Sequence, residues 1–290
     1  MIHIAEYRGY ENNKHTLEIT EKIISQEEFN SFYENFMFYS QYYQFKEIHD
    51  ICLEQNIDLM KFLSPSNLNK LLRAQEVETE KVLQTGNKLL LNYCTVIKIM
   101  VEKIESYLKH NLPEKSHEFQ QYSSNFYDQE FSYRFFMRLR NYIIHNGMPF
   151  TKVKRSLYED CDLYIDRCQL LKWNKWSTVK KDLEEMDNNN IRIQPFLQDI
   201  GSTIYALYMR SLYYLVPNII NSIKNIENFC QKHKVKRFDF IEYDSAKELK
   251  DGKYQLHLVP WSDLVKCINE INKHPNININ IKGSKNIERI

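Results

Sequence analysis

Along most of this chain apolar residues recur every three to four positions, the spacing of amphipathic helices. The densest stretch is Gln26 to Gln55, with Phe29, Phe32, Tyr33, Phe36, Tyr39 and Tyr43. It predicts one aromatic helix. Ser25, three residues before Glu28, supplies a capping box. An aromatic stripe at this spacing is far more often core than a base-stacking platform. Ser64-Pro65 opens a second helical stretch, with proline in its first turn, that continues to about Leu112. Gly86 marks an expected kink or break within it. The apolar run from Leu89 to Leu108 predicts a central helix that ends at Pro113, and the polar residues through Tyr122 and Asp128 read as a connection.

Phe131 to Asn146 returns to helical spacing, with Phe131, Phe135, Leu139, Tyr142 and Ile143 on the apolar side. Asn146-Gly147 suits a left-handed C-terminal cap, and Pro149 cannot continue the helix. Met137 and Ile144 lie opposite the main stripe. That pattern predicts a helix covered on two sides, the second by another subunit.

Elsewhere the period shortens. Residues 2–8 and 16–19 predict a hairpin around Glu11-Asn12-Asn13, and Cys161 to Leu171 reads as a strand or extended segment. Ser177 is read as the cap of a helix to about Glu185, followed by a polar turn over Asp187 to Asn190. Pro195 opens a long helix to about His233 that Pro217 kinks or splits. Phe238, Phe240 and Ile241 suggest one strand, and Tyr254, Leu256 and Leu258 another across an Asp251-Gly252 turn. Ser262 caps a short helix to Ile271, and Asn276 to Ile281 alternates like a last strand. The expected fold is mainly α, with a helical body over residues 1–233 and a small C-terminal α/β appendage over 234–290. No internal repeat is evident.

Composition narrows the function classes. Lys+Arg 39 against Asp+Glu 38 gives a net charge of +1, so any basic site must be local. Six cysteines are dispersed through the 290 residues without CxxC or Cys/His ligand spacing, and read as buried thiols rather than a disulfide framework or a metal site. No metal or cofactor is expected. The N-terminus lacks the layout of a signal peptide, and the most apolar long run, Ile204 to Ile220, is broken by Arg210 and Pro217. These features predict a cytoplasmic protein that does not enter the membrane. Walker, GxGxxG, HExxH and GxSxG patterns do not occur, which leaves nucleotide hydrolysis, zinc proteolysis and serine hydrolysis without support.

The chemistry-bearing stretch is Arg140-Asn141-Tyr142-Ile143-Ile144-His145. A bare Arg-x4–6-His spacing is weak, since Arg8 and His15 satisfy it, as do Arg138 and His145. Arg140 stands out because Asn141 follows it, the helix is strongly apolar, and the helix stops just after His145. At about 100° per residue, Arg134, Arg138, Asn141 and His145 share one polar stripe, with Arg140 roughly 140° from His145. Geometry thus favours Arg138 and sequence context favours Arg140. The alternative for His145 is a helix-capping side chain satisfied by local carbonyls. Lys152, Lys154 and Arg155 follow directly and could track a phosphate backbone or simply form a solvated face. The basic run Lys232 to Arg237 reads as a solvated helix end, and Trp173 and Trp176 as core.

These six residues resemble the signature of the HEPN superfamily, small α-helical domains found in many prokaryotic defence and toxin proteins. The helix layout is similar over roughly residues 65–235. The resemblance implies a bundle of four or five helices. It also implies RNA cleavage without metal, in a homodimer whose two Arg–His motifs face one cleft, and an antitoxin or regulatory partner. A non-catalytic HEPN-like nucleotide- or protein-binding module is the alternative. The residue types suit the reaction. RNA carries its own nucleophile in the 2′-hydroxyl, histidine can donate or accept the proton, and an Arg fork binds phosphate oxygens. The helix C-terminus favours positive charge at His145, which suits an acid or phosphate-binding role. One motif has one histidine, so a two-fold pair would supply both proton-transfer roles.

Overall fold

The computed structural model describes residues 1–11, 14–73 and 77–279. Its elements run β1 (Ile2–Glu11), β2 (Lys14–Ile24), α1 (Gln26–Glu34), α2 (Met37–Phe62), α3 (Pro65–Arg73), α4 (Thr79–Asn111), α5 (Pro113–Gln129) and α6 (Phe131–His145). Then come β3 (Phe150–Lys154), β4 (Asp162–Asp166), α7 (Arg167–Leu171), α8 (Val179–Glu185), β5 (Asn190–Ile191) and α9 (Gln194–His233). The chain continues with β6 (Phe238–Glu242), α10 (Ala246–Lys250), β7 (Gln255–His257) and α11 (Trp261–Ile271). The protein is mainly α, as expected.

It divides into two compact units, one of residues 1–43 with the chain from Leu212 onward, the other Gln44–Ser211. The divisions fall inside α2 and α9. This is not the expected split at 233/234. The N-terminal hairpin belongs with the C-terminal strands, in an antiparallel sheet of order β2-β1-β6-β7. Ile2 lies opposite Glu242 and Ile4 opposite Phe240. A central strand is buried on both faces; Ile2, His3, Ile4 and Ala5 are all buried. Phe32 of α1 packs over this sheet against Phe229, Phe238 and Phe240, with ring centroids 4.6, 5.5 and 5.2 Å apart. Phe32 and Phe36 of the aromatic stripe are core, Phe29, Tyr33 and Tyr39 are half-buried, and Tyr43 at its far end is exposed.

Several boundaries differ from the sequence reading. Asn35 turns its amide back to the carbonyls of Ser31 and Phe32, and the expected single helix becomes α1 and α2. The Ser25 cap forms, its hydroxyl accepting from the Glu28 N–H at 3.1 Å. Ser177 sits at φ 57° and does not cap; α8 begins after Thr178. α9 runs unbroken through Pro217, and α11 begins after Pro260 rather than at a Ser262 cap. Asn276–Ile279 form no strand, and residues 280 and 281 of that expected element lie outside the described residues, as does the Asn12-Asn13 turn.

In the second unit α4 is the central helix. Leu90, Ile97, Met100, Ile104 and Leu108 are fully buried along it, each contributing roughly 1.5–3 kcal/mol. The helix runs unbroken through Gly86. A Cβ there would stand 3.0 Å from Leu163, 3.1 Å from Phe62 and 3.3 Å from Phe150, so glycine serves close packing. The stretch read as a polar connection is the helix α5, which starts on Pro113 and buries a narrow stripe of Phe119 and Ser123. A small antiparallel sheet of order β3-β4-β5 follows α6.

Candidate active site

α6 is held on two sides by its own unit. On one, Tyr142 stacks on Trp176 with centroids 5.4 Å apart and meets the edge of Trp173 at 5.8 Å. Trp176 is fully buried and donates its indole N–H to the Leu170 carbonyl at 2.6 Å. Both tryptophans are core, as read. On another side Phe136 meets Tyr93 of α4. Met137 is half-buried within the same unit, whereas Ile144 is 51% exposed. The second apolar side is therefore only partly covered by this chain.

The polar side chains of α6 have separate fates. Arg134 grips both carboxylate oxygens of Asp182 in α8, at 2.8 and 2.7 Å, and also reaches the Asp128 carbonyl. Arg138 donates from Nε to the Tyr127 hydroxyl of α5 at 2.7 Å, with its guanidinium 5.9 Å from the centre of that ring. Arg140 is half-buried and reaches the Asn141 side-chain oxygen at 3.5 Å, while its Nε is buried without a hydrogen-bond partner. It also acts on the Cys94 thiol. Burial pushes that thiol up, and Arg140 pulls weakly the other way.

His145 is the last residue of α6 and is exposed to solvent. Neither arginine's hydrogen bonds reach it, since Arg138 goes to Tyr127 and Arg140 to Asn141. The helix ends differently from the left-handed cap expected at Asn146-Gly147. Asn146 has φ −128° and Gly147 φ 157°, and both N–H groups donate to the Tyr142 carbonyl, at 2.8 and 3.3 Å. The local carbonyl is thus satisfied by backbone, and capping does not occupy the imidazole.

The basic residues beyond α6 are mostly engaged. Lys152 pairs with Asp166 at 2.9 Å and donates to Asn190. The bond from Lys152 holds the Asp166 carboxyl below its usual range, against a smaller upward push from burial. Lys154 pairs closely with Glu159. Arg155 bonds the neutral Thr79 hydroxyl. In the run Lys232 to Arg237, Lys232 and His233 both meet Glu28 and Arg237 lies over the Tyr7 ring, while Lys234 and Lys236 are exposed.

Sequence reasoning missed a recess of about 270 Å³ beside Met137. Lys98, Glu102, Glu105, Ser123, Tyr127 and Tyr133 line it. Burial, then the neighbouring Glu102, raises the Glu105 carboxyl. The i,i+3 spacing of Glu102 and Glu105 on α4 was the available signal. Tyr127 and Tyr133 could not be assigned to the same recess while α5 was read as a connection. Among the described residues no group of three or more His, Cys, Asp or Glu side chains is placed to hold a metal ion, and no helix is long and apolar enough to cross a membrane. The cysteines are free thiols; Cys52, Cys94, Cys161 and Cys267 are buried, whereas Cys230 is half-buried and Cys168 is exposed, contrary to the expectation of burial.

No family model, curated protein or solved structure matches the chain. The functional reading therefore rests on the residues of α6 and their surroundings.

Proposed function

We propose that this chain is a metal-independent RNA endonuclease of HEPN type, acting in phage defence or a toxin system by 2′-hydroxyl attack. The observation that carries the reading is the last two turns of α6. Arg140 keeps a buried Nε without a hydrogen-bond partner beside Asn141, and His145 stands exposed one turn on. The buried Nε is closed to substrate, and the terminal nitrogens of the same half-buried guanidinium are the donors assigned to a phosphate oxygen. An exposed imidazole can move a proton at the ribose hydroxyl or at the leaving oxygen. Asn141 positions Arg140 and offers its amide to the ribose. Ile144 and Met148, both about half exposed, flank His145 and favour a second copy across the site. That copy would bring the second histidine which the two proton transfers need. Arg138, bonded to Tyr127, is assigned to substrate binding rather than to proton transfer.

One observation favours the non-catalytic binding module instead. Lys152 and Lys154 already hold carboxylates, which removes two of the cations expected to track RNA. The readings part in one assay. Purified protein with single-stranded RNA in EDTA should cut it and leave 2′,3′-cyclic phosphate ends. Light scattering should give about twice the 35.1 kDa chain mass. Intact RNA over an excess of enzyme, or cleavage that appears only when magnesium or manganese is restored, would reject the proposal.

A further inference from the structure

The loop between β3 and β4 is built to present one aromatic ring. Its backbone is fixed from α3. Arg73 donates to the Ser156 and Glu159 carbonyls at 3.1 and 2.6 Å. Asn69 bonds the Asp160 side chain and accepts from the Cys161 N–H, both at 2.8 Å. Within the loop the Ser156 hydroxyl accepts from the N–H groups of Tyr158 and Glu159, at 3.3 and 2.9 Å. Cys161 anchors the far end in the core at 1% exposure. At the tip, Tyr158 is 96% exposed and Leu157 is 79% exposed.

These bonds fix the loop's backbone, so presenting the ring costs little further backbone ordering on binding. Arg73 and Arg155 at the loop's root bond neutral oxygens, and Lys154 holds Glu159, so that even with the Asp160 carboxylate the loop and its root keep one net positive charge. We propose that Tyr158 is a stacking platform for an unpaired base of single-stranded RNA, with Arg155 and Arg73 facing the adjacent phosphates. The inference rests on the nuclease reading and names its substrate class as unpaired rather than duplex RNA. Every base offers a flat face to such a ring, whereas paired bases cannot reach it. An apolar protein cleft would use Leu157 at least as much as Tyr158, and the guanidinium forks of Arg73 and Arg155, which hold no carboxylate themselves, favour phosphate over that partner.

The test uses the full chain carrying His145→Ala, so that RNA stays whole, and a fluorescein-labelled single-stranded RNA read by anisotropy. Tyr158→Ser should weaken binding about tenfold or more, while Tyr158→Trp should match or tighten it. Tyr158→Ser should leave the slope of log affinity on log salt unchanged, and Arg155→Ala should flatten it by close to one phosphate contact. The same sequence as a duplex should show no dependence on Tyr158. Melting curves matching the parent are expected, since Tyr158 is exposed. Equal binding by Tyr158→Ser, or no binding by the parent, overturns the inference. So does a Leu157→Ser loss as large as that of Tyr158→Ser, which would point to a protein cleft. Cleavage by the His145-intact chain that ignores Tyr158→Ser would leave the nuclease reading standing without the platform. Tyr158-dependent binding with no cleavage by that chain would do the reverse.

Discussion

Asn87→Ala should lower the stability of the unit that carries α6 by about 2–6 kcal/mol. Asn87 is 6% exposed and holds both backbone polar groups of Phe150. Its amide donates to the Phe150 carbonyl at 3.0 Å and its oxygen accepts from the Phe150 N–H at 2.9 Å. Truncation leaves two buried groups unpaired at roughly 1–3 kcal/mol each. For a unit of this size that is a fall in melting temperature of about 4–24 °C, at roughly 2–4 °C per kcal/mol. Urea unfolding followed by circular dichroism should show a lower midpoint with an unchanged slope. Asn87→Asp tests the same bonds through pH. An ionised carboxylate can accept from Phe150 but has no proton for its carbonyl, whereas a protonated one can do both. The fold therefore favours the protonated form and raises that carboxyl above its free value of about 3.9. Relative to wild type at each pH, the Asn87→Asp deficit should be small below about pH 4 and open as pH rises through the raised value. An Asn87→Ala melt within about 1 °C of wild type, on the same scale of a few degrees per kcal/mol, would refute the reasoning. So would an Asn87→Asp deficit that does not change with pH.

Other perturbations follow from packing and charge. Gly86→Ala should destabilise by about 1–3 kcal/mol despite alanine's better helix propensity, because Leu163, Phe62 and Phe150 leave its methyl no room; a thermal melt at or above wild type would contradict this. Arg134→Ala should cost roughly 2 kcal/mol in urea by stranding the half-buried Asp182, and Arg134→Lys should recover only part of it, having no fork. Tyr7 is pushed up to about 12 by burial, then by its hydrogen bond to Asp239 and that carboxylate's charge. Its protonated form is what the fold favours, so this stabilisation is complete below about pH 10 and fades as pH rises through about 12. Tyr7→Phe should flatten stability over that alkaline window; an unchanged pH profile would show that Tyr7 is not the group responsible.

The readable parts of this sequence were those governed by local periodicity. The spacing from Phe131 to Ile143 located α6, and Phe32 and Phe36 of the aromatic stripe proved to be core because helical geometry alone sets which rings share a face. Pairing over long sequence separations was not legible. Nothing near Ile4 announces Phe240 as its neighbour, so the N-terminal hairpin was assigned to the helical body. α5 was missed because Phe119 and Ser123 make too thin a stripe to register against its polar residues. Gly86 carries two opposite local meanings, flexibility and close approach, and only its neighbours decide between them. On α6, the spacing singled out Arg140, Asn141 and His145 as candidates. It could not show that Arg138 is bonded to Tyr127, nor that Lys152 and Lys154 are bonded to carboxylates, since those partners lie on other elements.

The most direct test of the proposed chemistry is the RNA cleavage rate of three variants whose melting curves match wild type. His145→Ala and Arg140→Ala should each lose about 100-fold or more, the usual cost of removing a proton-transfer or anion-stabilising partner. Arg138→Ala should lose less, mainly through weaker RNA binding, because its guanidinium is bonded to Tyr127. A folded His145→Ala protein that cleaves RNA at the wild-type rate would contradict the account at its centre. An inactive Arg138→Ala beside an active Arg140→Ala would keep the reaction class and move the catalytic arginine one face around the helix.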